Sequence, residues 1–124
     1  MDTSRLPEPL RARIAEREAR PAMEKARSLL RSYVVDTDGT DEIREQLLAT
    51  ARYNTYYLRQ EVAALEEILT ADLPQGTLFL LVSVDGGWPL DHDPTDDGAT
   101  VFLGELAGWV HAAIDQAEQE RTDR

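Results

Sequence analysis

Ile43, Leu47, Ala51, Leu58, Val62, Leu65 and Leu69 recur every three or four positions, with Asn54 in the same register, and no glycine or proline occurs between residues 41 and 73. Apolar residues at that spacing share one side of an α-helix, and such a stripe is stable only when another surface covers it. The pattern predicts one long helix over residues 41–73. At 1.5 Å per residue it would reach on the order of 45 Å, with a kink placed at Tyr53-Asn54-Thr55. A helix of that length in a 124-residue chain must be the spine against which everything else packs.

The flanking segments supply the covering surfaces. Leu6, Leu10 and Ile14 sit at helical spacing after a start marked by Pro7 and Pro9, and Ala22, Ala26, Leu29, Leu30 and Tyr33 continue the stripe. Pro21 is expected to end or kink this first helix, because it lacks an N–H and clashes with the preceding turn. Residues 36–41 read as a turn, with Thr40 or Asp41 as the cap of the next helix. After a break at Leu73-Pro74-Gln75-Gly76, residues 78–84 are apolar throughout. A lone strand would have no partner in this sequence, so a short buried helix is the better reading. Residues 85–97 form a long acidic loop. A last helix begins near Asp96, capped by Thr95 or Asp96, with Ala99, Phe102, Leu103, Leu106, Val110, Ala113 and Ile114 as its apolar face. The expected fold is all-α: a small bundle of four to five helices, one long and central, with a long acidic loop before the last. Residues 1–124 form a single domain, with flexible ends at 1–5 and 120–124.

Composition excludes several functions. Cysteine is absent, so disulfides, thiolate metal sites and cysteine nucleophiles are out. The first twenty residues are rich in charge and hold no apolar run, unlike a secretory signal. The longest apolar stretch is far too short to span a bilayer. A cytoplasmic protein is expected. None of Ser4, Ser28, Ser32 and Ser83 lies in a nucleophile motif, and Gly86-Gly87 has no lysine to make a phosphate loop. No catalytic residues and no cofactor are predicted.

Charge points to a partner. The net charge is −11. Between residues 60 and 120 there is no lysine or arginine, while aspartate and glutamate recur throughout. Such a single-sign field costs self-repulsion and suits a positive partner. Much of it sits at outward positions of helices, where it only solvates. The dense part, Asp85, Asp91, Asp93, Asp96 and Asp97 around Trp88, is harder to explain that way. A calcium loop is a poor fit there, since a loop begun at Asp91 or at Asp93 meets Phe102 or Gly104 where the terminal glutamate belongs. His92 and His111 lack the further nitrogen or sulfur ligands that zinc requires. Arg11, Arg13, Arg17, Arg20, Arg27 and Arg31 form a basic stripe, but Glu16, Glu18 and Glu24 dilute it, and the acidic remainder would repel phosphate. The stripe can instead meet the chain's own acidic half. Tyr53, Tyr56 and Tyr57 cluster in mid-helix beside Arg52 and Arg59, residue types that anchor interfaces.

The C-terminal half resembles bacterial immunity proteins of the contact-dependent growth inhibition and polymorphic-toxin type. The resemblance runs through Arg59, Ala64-Leu65 and Leu69, then Pro74-x-Gly76-Thr77-Leu78, Leu81-Val82, Asp85 with Trp88, residues 91–93, Gly98-Ala99, Phe102-Leu103 and Leu106, about residues 56 to 114 in all. It implies a cytoplasmic protein that occludes a toxin domain, commonly a basic nuclease, without turnover. Asp85, Asp91, Asp93, Asp96 and Asp97 would then steer and salt-bridge the toxin, Trp88 would anchor it, and Glu66 and Glu67 would touch its flank. Tyr53, Tyr56 and Tyr57 are secondary interface candidates. Nucleic acid and membrane are not expected partners. Two other readings fit the same residues: an acidic secretion chaperone or adaptor for a basic client, and a divalent-metal enzyme built on Asp91, Asp93 and Asp97.

Overall fold

The structure, a computed structural model, describes residues 8–123; the side chains of Glu8, Arg11, Ala12, Ala15 and Glu16 are outside the described set. The expectations placed on Leu6, Pro7, Arg11 and residues 1–5 therefore lie outside the described residues. Five α-helices run in chain order: α1 (Glu8–Tyr33), α2 (Thr40–Tyr53), α3 (Tyr56–Thr70), α4 (Thr77–Leu80) and α5 (Asp96–Thr122). A π-helical turn, Leu81–Asp85, follows α4 directly. The described residues contain no strand, so the fold is a small all-α bundle. Helix α3 packs against both α1 and α5, α2 packs along α5, and α4 sits against the start of α5.

The apolar register sets this arrangement. Ile43, Leu47 and Ala51 of α2, Leu58, Val62, Leu65 and Ile68 of α3, and Leu103, Leu106 and Val110 of α5 are buried in one core with Leu29 and Leu30 of α1. Each fully buried leucine or isoleucine contributes roughly 1.5–3 kcal/mol relative to exposure. No charged or polar side chain is buried among the described residues, so the core carries no desolvated charge.

Three local expectations are corrected. The central helix is two helices: the chain leaves helical geometry at Asn54, whose backbone is extended with φ −164° and ψ 134°. The Asn54 side chain then accepts from the Tyr56 N–H at 2.7 Å, starting α3 in a new direction. Asparagine favours such local turns over a helix interior. Conversely, α1 does not end at Pro21, which stands exposed inside it. Pro21 faces water, where a carbonyl left without its donor is hydrated, while Ala22, Ala26, Leu29 and Leu30 hold the other face to the core. Neither Thr40 nor Asp41 caps α2; Gly39 occupies that position, and Glu42 reaches back to accept the Asp38 N–H at 2.7 Å.

At the C-terminal end, α5 runs to Thr122. Arg121 donates to the Ala51 and Arg52 carbonyls at 2.8 and 3.0 Å. These carbonyls end α2 and lack intrahelical partners, so a guanidinium there satisfies them and opposes the negative end of the helix dipole. Arg52 in turn makes a two-pronged pair with Glu120, both bonds at 2.9 Å. The hydrogen bond to Glu120, then its charge, raises the Arg52 pKa above its ordinary value.

Residues 78–84 are helical, as expected, but not buried throughout. Leu81 and Val82 enter the core, whereas Leu80 and Val84 are exposed. The π turn is closed by the Gly86 N–H donating to the Leu81 carbonyl at 2.9 Å. A β-carbon on Gly86 would stand 2.7 Å from the Val82 oxygen, so the close turn needs glycine.

Candidate functional site

The acidic loop runs from the π turn to α5, and its geometry separates charges that hold the fold from charges that face outward. Asp85 belongs to the first group. Its carboxylate lies 3.2 Å from Arg27 Nε and 3.3 Å from Arg31 Nη2 on α1. The basic stripe thus meets the chain's own acidic half, and Asp85 is already neutralised. Arg13, Arg17 and Arg20 of the stripe remain exposed.

Asp96 is also engaged. Its two carboxylate oxygens accept the Gly76 N–H at 2.6 Å and the Phe79 N–H at 2.9 Å. Gly76 takes a left-handed φ of 91°, which glycine adopts without the penalty a side chain would bring. Asp96 thereby fastens the start of α4 to the start of α5. Thr95 is the α5 cap, accepting the Gly98 N–H at 3.3 Å. Thr95 also donates to Asp93 at 2.6 Å. Gly98 is buried, and a β-carbon there would overlap the Asp93 carbonyl, so glycine lets the loop close onto the helix. Glu66 faces His111 across α3 and α5, with Oε1 2.9 Å from Nε2.

Asp91, Asp97 and Glu67 differ. All three are exposed, and their carboxylates meet no counter-ion among the described residues. Asp91 joins Phe79, Ser83, Gly87, Trp88, Pro89, Leu90 and Pro94 in lining an open depression of about 270 Å³. Trp88 is half-buried: its ring stacks on Phe102 with centroids 5.0 Å apart and planes 24° apart, and Phe102 meets Trp109 edge-on at 6.2 Å. Trp88 therefore packs on the core and also lines the depression. Among the described residues no three acidic or histidine side chains converge as a metal site would require. Asp91, Asp93 and Asp97 present charge separately rather than as a chelate.

The tyrosines stand elsewhere. Tyr53, the last residue of α2, is 91 % exposed; Tyr56 and Tyr57, the first two of α3, are 60 % and 69 % exposed. Tyr56 and Tyr57 meet edge-on at 5.2 Å. All three interface candidates are therefore exposed, on either side of the break at Asn54.

Exposed Leu80, Val84 and Val101 were not singled out from sequence. The i, i+4 spacing of Leu80 and Val84 was the available signal, hidden because the neighbouring residues are apolar too. No helix among the described residues is long and apolar enough to cross a membrane. No family model, curated protein or solved structure matches this chain.

Proposed function

We propose that this protein is a cytoplasmic immunity protein that neutralises a cognate, basic toxin domain of nuclease type by occlusion. One observation supports it beyond the sequence resemblance. Asp91, which lines an open depression together with Trp88, and Asp97, at the start of α5, stand exposed with no counter-ion among the described residues, in a stretch free of lysine and arginine. A basic surface would be steered to these carboxylates, and the aromatic and proline side chains beside Asp91 offer apolar area to hold it. Asp85, Asp96 and Glu66 act at one remove, since their partners lie within the chain. Inhibition needs no turnover: the bound protein covers the phosphate-binding surface of the toxin.

The test uses the C-terminal domain of the protein encoded immediately upstream. Its toxic activity should be lost at equimolar wild-type protein. Asp91→Asn with Asp97→Asn should slow association about tenfold at low salt and flatten its salt dependence, leaving dissociation less affected. Full toxin activity in an excess of this protein sinks the reading. An unchanged association rate in the double variant means the acidic loop is the wrong surface. Binding only to unfolded toxin favours the secretion-chaperone role.

A further inference from the structure

The break between α2 and α3 exposes three tyrosines within five residues of chain, at the end of the bundle where α5 finishes. This pole is electrically unlike the acidic loop. Arg52 pairs with Glu120 and Arg59 with Glu118, and Arg121 lies against the end of α2. Both signs are therefore present around the tyrosines, and Glu118 and Glu120 of α5 are answered by cations. Along α5 the acidic loop and this pole are on the order of 30 Å apart, at about 1.5 Å per residue.

We infer that the tyrosine pole is where a second copy of this chain docks. A copy with net charge −11 is repelled by an acidic face but not by a pole whose charges are matched. A two-fold contact puts the same patch on both sides, and a patch carrying both signs complements itself. Tyrosine supplies large, rigid contact area with a hydroxyl that tolerates water before assembly. A basic partner, by contrast, is drawn to the unneutralised Asp91 and Asp97 at the far end, so both acidic loops stay free in the dimer.

The available area sets the strength. The three tyrosines expose on the order of 400 Å² per copy. Two copies would bury on the order of 800 Å² through them, below the roughly 1,200 Å² where stable interfaces begin. The dimer is therefore weak and concentration-dependent.

Sedimentation velocity on the full chain, from micromolar to millimolar, tests this without reference to any toxin. The weight-average mass should climb from 13.9 kDa towards twice that value, and added salt should strengthen association by screening the residual repulsion. Replacing all three tyrosines with serine should weaken association at least about tenfold. Tyr53→Ser alone, at the most exposed of the three, should shift it the same way if the triple variant proves destabilised. A mass that stays monomeric at every concentration overturns the inference. So does association that weakens with salt, ignores the tyrosine variants and is lost in Asp91→Asn with Asp97→Asn. That result would instead mean a head-to-tail contact between the exposed arginines of α1 and the acidic loop of the next copy.

Discussion

Glu61 on α3 is half-buried, and burial raises its carboxyl pKa above the ordinary glutamate value. The charged form is therefore less welcome in the folded chain than in the unfolded one. Below the unfolded value of about 4.3 both states hold the proton and nothing is lost. As pH rises through the higher folded value, the folded state gives up a proton it would rather keep, and stability falls. Glu61→Gln should consequently raise the melting temperature at neutral pH and leave it unchanged under acid conditions, as thermal unfolding across the pH range will read. Among the loop acids the same question of surroundings decides roles. Asp85 and Asp97 look alike in sequence, yet one is flanked by Arg27 and Arg31 and the other faces water. Only the folded chain brings residues 27 and 85 together. No local pattern around Asp85 announces it.

The elements were largely legible. The stripes of α2, α3 and α5 were visible because each buries one face of a helix, and Ile43, Leu47, Leu58, Leu65, Leu103 and Leu106 all reach the core. Boundaries were less so. Asn54 breaks the spine through a local bond, its side chain accepting from Tyr56 two residues on, but α5 persists to Thr122 because Arg121 reaches α2, a partner distant in sequence. The join of α4 to α5 rests on the same kind of contact. Asp96→Ala removes two charge-assisted hydrogen bonds to backbone N–H groups and should cost about 2 kcal/mol of stability in denaturant unfolding. Hydrogen exchange should show Gly76 and Phe79 losing protection first. Under the proposed function this variant should bind its toxin at a nearly unchanged rate once corrected for the folded fraction, unlike the Asp91 and Asp97 variants.

The whole molecule carries its charge unevenly. Basic α1 answers Asp85, and Arg52 and Arg59 answer the end of α5, but Asp91 in the loop and Asp97 in the first turn of α5 meet no cation among the described residues. With a net charge of −11, long-range repulsion opposes compaction more than the few surface pairs favour it. Added sodium chloride should therefore raise the melting temperature of the isolated chain, by a few degrees over the first few hundred millimolar; a fall would mean that the internal ion pairs dominate instead. The pattern of apolar residues, and the absence of cations from residue 60 to 120, were enough to establish an all-helical bundle with an anionic half, because helix formation and net charge depend on composition and near neighbours. Which carboxylates are held within the fold, which stay exposed, and that the three tyrosines face water were settled only when helices distant in sequence came into contact. Those outcomes depend on pairings and exposures that the linear order of residues does not contain.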